Sequence, residues 1–577
     1  MKKMFTTVLT AIVVLLAGSG ILYAANDTLV VYASDAKTLD QVIAGDRNSD
    51  GSQVHNVYKL VSLDTTYIYH GAITVTSDFT VVGQLGSDGR PPCIQPGVLS
   101  DGSMPLDLFI MNGPGTKAVL KNLYLLGQST SATHASTSAI KVTADDIKLT
   151  CDNVVFEEWW QYAIGYSGNM NSFFITNCKF RNLAQYSWYS GEVLRSMNGA
   201  APTDSVVMKY NTFLCGNSDI ACPITKAKLN YFEFDHNSIV WTFKEPFWIF
   251  NVVDAKINNN IFYGVSAGGQ SQGEFTGWWD ALWSLDTCSV IDLDTLDINK
   301  AKEFVPSDSA SPNIRWIAEA KRKVELKNNV YFMPKEVTDY LKAWNDTAAV
   351  ENKIVPNGWM NQRTKGMFAD KEHWPGFVAE NNQIGVDPGY ATSIHDVLYE
   401  NKNNGVGMLK YIEIIRTGIT SSDYWGYLQT VVQPVADWVP AWPLPETAAL
   451  KYSNTSLLTA STDGRPIGDP GWFNGGYTGV EEGVQAQVPS KFSLSEAYPN
   501  PFNPSTNVKF NLNKDGNVSL KIYNVMGELV RTIIDNEYRT AGEYISNINM
   551  NNLSSGVYFF TVSQGGQQLT KKMMLLK

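Results

Sequence analysis

The chain has 577 residues, with 45 Lys and Arg against 56 Asp and Glu, a formal net charge of −11. That acidic balance argues against nucleic acid as a partner, because phosphate binding needs a basic surface. The length allows a large core and more than one domain.

In chain order, Met1–Ala24 reads as a secretory signal peptide: Lys2 and Lys3, an apolar run from Val8 to Ala17, then small residues before Asn26. The run is too short to span a bilayer, and no other segment is long enough, so no transmembrane helix is expected. The six cysteines, Cys93, Cys151, Cys178, Cys215, Cys222 and Cys288, show no CxxC spacing, which leaves no zinc signature. An exported chain permits disulfides, and Cys215 with Cys222 is spaced to close a short loop; free thiols buried in a strand stack are the alternative.

Asp46-Arg47-Asn48-Ser49-Asp50-Gly51-Ser52 places oxygen ligands as the first half of a calcium loop does. Val57 stands where the closing Glu belongs, so an Asx-rich turn is the favoured reading. No cofactor is expected, with calcium at this turn as the weaker alternative. Strands are expected at Tyr67-Ile68-Tyr69 and Ile73-Thr74-Val75, under an N-terminal cap that shields the end of a stack. The pattern Leu39, Ile43, Asp46, Gly51, Val57-Tyr58, Tyr67, Gly71 and Ile73 resembles the start of exported bacterial right-handed β-helix proteins.

The middle of the chain repeats a degenerate unit, alternating apolar residues followed by Asn and another apolar pair. The Asn positions are Asn122, Asn153, Asn211, Asn237, Asn260 and Asn329, and Cys178 replaces Asn in Ile175-Thr176-Asn177-Cys178-Lys179-Phe180. Spacings of 31, 25, 33, 26 and 23 residues from Asn122 to Asn260 suit one lap of a parallel β-helix, with a β-sandwich array as the remaining alternative. Alternate apolar residues then point inward, and each corner Asn bonds to the Asn of the next lap. Neither 3.6-residue periodicity nor regularly spaced leucines is present, which sets aside helical and leucine-rich solenoids.

Residues 267–322 interrupt the repeat with Trp278-Trp279, Trp283 and an acidic stretch, as a binding loop does. The repeat fades after Val386-Asp387-Pro388-Gly389-Tyr390. Short helices are expected over Tyr411–Arg416 and Ser422–Val432.

Phe234-Asp235-His236-Asn237-Ser238 resembles the Asp-His strand of pectate lyases, themselves right-handed β-helices. The resemblance implies calcium and a basic Arg, for which Arg181 and Arg195 are the candidates, but the Asn repeat already accounts for the segment. For glycoside hydrolysis, Glu157-Glu158 and Glu274 are the carboxylates to inspect. Neighbouring strand residues face opposite ways, so Glu157 and Glu158 cannot share one site on a strand. Exposed aromatic rings stack on sugars or anchor proteins, which makes Trp159, Trp160, Trp188, Trp241, Trp248, Trp278, Trp279 and Trp283 the candidate ligand-binding group.

The last 86 residues, 492–577, change character: seven short strands separated by Gly, Asn and Asp, as in a small antiparallel immunoglobulin-like sandwich. They open on Tyr498-Pro499-Asn500-Pro501-Phe502-Asn503-Pro504. Further on come Val518–Gly527, ending in Met526-Gly527, then Leu553-Ser554-Ser555-Gly556-Val557-Tyr558-Phe559, and finally Lys571-Lys572-Met573-Met574-Leu575-Leu576-Lys577. In this order the motifs resemble type A sorting domains of the type IX secretion system. The resemblance implies the type IX machinery as partner and a secreted or surface-attached product. It leaves the cargo's activity open.

The expected order is therefore signal peptide (1–24), β-helix with cap and insertion (25–395), C-terminal cap or irregular extension (396–480), linker (481–491) and sorting domain (492–577). The expected function is a non-enzymatic structural, adhesive or glycan-binding protein, with extracellular polysaccharide, matrix or a second copy as partner. A β-helix polysaccharide lyase or hydrolase is the alternative.

Overall fold

The computed structural model describes residues 28–34, 36–129, 137–183, 191–198, 201–216, 220–222, 228–271, 289–399, 407–417, 442–473, 492–495, 497, 500–512, 516–539, 542–551 and 553–576. The chain divides into two compact units, Met1–Gly479 and Val480–Lys577. The fold is mostly β with few helices, as expected from the sequence: large parallel sheets in the first unit, antiparallel pairing in the second. Among the described residues no helix is long and apolar enough to cross a membrane. The signal peptide, the linker and the expected helix Ser422–Val432 lie outside them, whereas a helix at Met408–Thr417 covers the other expectation.

The first unit contains three parallel ladders that the chain visits in turn. One lap shows the principle. The strand Lys148–Glu157 crosses a corner at Asn153, so that its first half lies in the first ladder and its second half in the second. Tyr162–Tyr166 belongs to the third ladder, and Asn171–Thr176 then returns to the first, with Cys151 opposite Ile175. The first ladder runs from Thr28–Val31 to Phe377–Glu380, the second from Tyr67–Tyr69 to Gln383–Ile384, and the third from Ile73–Val75 to Ala221–Cys222. Parallel strands place like side chains above like, so the core is built in rows. Leu125, Phe156, Phe180, Phe213, Ile239 and Phe262 are in register, and Phe156, Phe180 and Phe213 stack with centroids 4.8 and 5.0 Å apart.

From the lap of Asn122 onward, the corner between the first and second ladders carries a left-handed residue. Asn122, Asn153, Asn177, Tyr210, His236, Asn259, Asn328 and Asn381 occupy it, all with φ between 52° and 60°. Asn tolerates this region better than other non-glycine residues because its amide bonds locally. The Asn residues of the repeat thus occupy two registers. Asn122 and Asn153 are the left-handed residues themselves, joined by one amide bond of 2.9 Å. Asn211, Asn237, Asn260 and Asn329 come one residue later and form a buried ladder that continues to Asn382, with amide bonds of 2.8–3.0 Å. Each also caps main chain: the Asn237 oxygen accepts the Asn211 N–H, and its nitrogen donates to the Met208 carbonyl. Cys178 holds the next rung, its sulfur facing the carbonyl of Cys151 at 3.5 Å, where an Asn would donate, and interacting with the Val154 N–H.

The interruption at 267–322 is an insertion within one lap, because Val252–Asn258 pairs directly with Lys323–Lys327. Its described part carries the helices Ile298–Phe304 and Ile314–Glu319 around their own small apolar cluster. The described parts of 386–473 pack on the outer face of the second ladder, with Ile394, Tyr411, Tyr452, Ile467 and Trp472 in one cluster with its residues. This is why strands such as Lys179–Leu183 and Ser238–Thr242 are buried on both faces. At the other end of the stack, the helix Leu39–Gly45 buries Leu39 and Ile43.

The second unit has a three-stranded sheet (Ser493–Leu494, Ser505–Leu512, Gly542–Asn549) and a four-stranded sheet (Leu529–Arg539, Gly516–Tyr523, Gly556–Gln564, Gln567–Leu575). Val508, Phe510, Leu520, Ile522, Phe560 and Met573 fill one core with contributions from both sheets.

Candidate functional site

With the second ladder covered, open chemistry must be sought on the other two. At the start of the third ladder Asp107, Ser138, Tyr162 and Glu192 stand on successive laps in register. The two residues that follow each, such as Leu108 and Phe109 or Ala163 and Ile164, both belong to the core, so the strand bends there and the leading residue turns away from it. Rungs about 4.8 Å apart spread the four over about 14 Å.

Two cations from the next outward row serve this cluster. Lys141 Nζ lies 3.2 Å from Asp107, and Arg195 lies 2.6 Å from Glu192, while Ser138 donates to Asp107 at 2.6 Å. Tyr162 is half-buried, and its ring lies across Gly165, where a Cβ would meet the ring at 2.8 Å. Only glycine leaves room for that ring. Burial and then the Glu192 charge push the Tyr162 phenol above its ordinary range. It therefore stays a neutral hydroxyl, able to donate and accept. The ring thus lies over Gly165, whose register partners are Lys141 and Arg195, each of them paired with its own carboxylate.

The tryptophans fall differently from the sequence reading. Trp159 and Trp241 are fully buried, and their indole N–H groups donate to the carbonyls of Leu125 and Ile394. Packed on all sides, they offer no face to a ligand. Trp248 is also buried and donates to Glu245. Trp160, two residues before Tyr162, is half-exposed. Trp188, Trp278, Trp279 and Trp283 lie outside the described residues, as does Glu274.

The lyase-like residues are also committed elsewhere. Asn237 is a rung of the Asn ladder. His236 is buried, at ion-pair distance from Asp235 (3.1 Å) and Asp463 (3.2 Å) but without hydrogen-bond alignment to either. Arg181 is fully buried between Glu157, at 2.7 Å, and Glu446, which it grips through two nitrogens. Burial opposes its charge, but the two carboxylates outweigh that and hold it protonated. Such an arginine cannot serve as a base. Glu157 is further occupied by Tyr124 and Asn182. In the Asp46–Ser52 turn, Asp46 binds His55 and Tyr58 and Asp50 binds Ser52, so the carboxylates serve their own loop. Among the described residues no group of three His, Cys, Asp or Glu could hold a metal ion. Cys93, Cys151 and Cys178 are buried free thiols.

Sequence reasoning named Arg195, as a candidate lyase base, and Trp160, as a candidate ligand-binding ring, but did not single out Asp107, Lys141, Tyr162 or Glu192. No local motif joins them, since each comes from a different lap. Spacing gives no signal either: 16 residues separate Asn122 from Ser138, 9 separate Asn153 from Tyr162 and 15 separate Asn177 from Glu192.

In the second unit the sorting motif staples the end of the chain. Asn500 accepts from the Met574 N–H at 2.8 Å, Phe502 donates to the Met574 carbonyl, and Leu576 donates to that of Phe502. Phe502 is buried, and Met550 donates to the Pro504 carbonyl, next to Asn503. Pro501 lies between the stapling residues. Gly527, with φ +81°, closes a hairpin turn, and Gly556 begins a strand. Lys572 is exposed and Lys571 half-exposed on the last strand. Tyr498 and Pro499 lie outside the described residues.

Comparison with curated proteins returns no match. Residues 496–576 match the family model described as the secretion system C-terminal sorting domain. Residues 496–576 are thus a type IX secretion C-terminal sorting domain, which implies involvement of the type IX machinery and points to a secreted or cell-surface-attached protein.

Proposed function

We propose that the first unit is a right-handed parallel β-helix exported as a non-enzymatic glycan-binding or adhesive protein, with its contact region at the start of the third ladder. Three parallel ladders visited in turn, and a corner Asn ladder joining successive laps, support the β-helix reading. Residues 267–322 are then a loop insertion, and 396–480 a C-terminal extension whose described parts pack on the second ladder.

The observation that carries the functional reading is the Tyr162 ring lying over Gly165, whose register partners on the neighbouring laps are Lys141 and Arg195. A half-exposed aromatic ring with paired charges beside it suits a sugar face and its hydroxyls. Proton abstraction calls for a base with a pKa brought toward neutrality. Here the phenol is pushed upward, and the arginine and lysine are neutralised by carboxylates.

The test is a screen of the full chain against acidic and neutral polysaccharides, for binding and for turnover. Binding without turnover, lost on Tyr162→Ala, is expected. Release of unsaturated oligosaccharides would sink the non-enzymatic reading and favour the lyase. No binding to any glycan would leave adhesion to protein matrix or self-association as the contact.

A further inference from the structure

A hairpin tip in the sorting domain has side chains that folding alone does not require. The turn joins Gly516–Tyr523 to Leu529–Arg539 and reads Asn524-Val525-Met526-Gly527-Glu528. Turns in water favour polar residues, yet Val525 is 68 % exposed and Met526 80 %. Both stand on a rigid support. The Asn524 side-chain oxygen accepts the N–H groups of Met526 and Glu528 at 3.0 Å each, its nitrogen donates to Glu528 at 2.8 Å, and Gly527 supplies the left-handed residue. A turn locked this way loses little entropy when its tip is bound.

Beside the tip lies a concavity of about 410 Å³, lined among others by Tyr523, Phe559, Thr561 and Thr570. Tyr523, Phe559 and Lys572 are in register across three strands, and Leu529, opposite Tyr523, is 52 % exposed. An apolar tip, an aromatic-floored hollow and a lysine at the rim form one continuous surface on the outer face of the four-stranded sheet. Such surfaces on soluble domains mark contact sites.

We infer that this surface is where the type IX machinery grips the domain, through a partner that receives Val525 and Met526 in an apolar pocket and offers carboxylates to Lys572. The inference rests on the sorting-domain reading. The domain is matched as a signal that must be read, and this face presents apolar side chains held rigidly in solvent together with a cationic rim.

The test is export of the full chain in a bacterium that carries type IX secretion, followed by immunoblots of medium, surface and periplasm. The double variant Val525→Ser/Met526→Ser should reduce export roughly tenfold or more, the scale of losing central contact residues, with accumulation in the periplasm. Amide exchange in Gly516–Tyr523 and Gly556–Gln564 should stay as in the wild type, showing that the domain is folded. Val525→Leu/Met526→Leu should retain export; an equal loss there would overturn the apolar contact. A chain truncated after residue 491 separates the two claims. If the truncated chain is exported as well as the full one, the sorting reading fails; if it is retained while the Ser variant is exported normally, the surface inference fails.

Discussion

Replacing Asn237 by alanine tests the Asn ladder at its centre. The Asn237 side chain makes four hydrogen bonds: its oxygen accepts the Asn211 N–H and side-chain amide, and its nitrogen donates to the Met208 carbonyl and the Asn260 oxygen. After truncation the Asn211 amide still reaches Ile175, and the Asn260 oxygen still accepts the Asn237 main-chain N–H. The Asn211 N–H is left without its acceptor in a fully buried site. One orphaned donor costs about 1–3 kcal/mol and each lost bond about 0.5–1.5 kcal/mol, which puts Asn237→Ala at about 3–5 kcal/mol. Asn382→Ala, at the half-exposed last rung, should cost about 1 kcal/mol because water replaces the lost partners. All 16 tryptophans precede residue 473, so tryptophan fluorescence during urea unfolding reports the first unit alone. Equal midpoints for the two variants would refute the ladder as a source of stability.

Three further outcomes follow from the same geometry. Cys178→Asn should preserve or raise the urea midpoint, because an amide can take both roles of the thiol, whereas Cys178→Val should lower stability by about 1–3 kcal/mol through unpaired main-chain groups. Burial, opposed by Arg363, pushes the Asp292 carboxyl up to about 7. A raised carboxyl contributes stability that is full below its unfolded pKa and lost as pH rises through 7, so wild type should lose on the order of 2 kcal/mol relative to Asp292→Asn between pH 5 and 7; parallel pH profiles would contradict this. Glu446→Ala removes one of the two carboxylates that hold buried Arg181, so amide exchange should speed up in residues 442–473 while Lys148–Glu157 stays protected, as mass spectrometry can show.

Periodic features were legible in the sequence because they are local. Tyr67–Tyr69 and Ile73–Val75 form strands as expected, and all seven strands of the C-terminal unit occur where alternation placed them. Asn382 escaped because polar Glu380 and Gln383 flank it, without the apolar pairs that mark other corners. Its place shows only when lap is stacked on lap. The tryptophans misled for a related reason: Trp241 bonds to Ile394, 153 residues away, and Arg181 to Glu446, 265 residues away. Composition reveals an aromatic-rich stretch, but which ring faces water depends on the segment that folds back over the second ladder. The Tyr162 cluster is likewise spread over residues 107–195.

The central claim is that the C-terminal unit is the protein's address and the first unit its cargo. Fusing residues 480–577 to an unrelated, periplasm-directed reporter in a bacterium with type IX secretion tests it most directly. The account predicts that the fusion reaches the medium or the cell surface while the reporter alone stays in the periplasm. A fusion that stays in the periplasm, in a strain that exports the full chain, would contradict it.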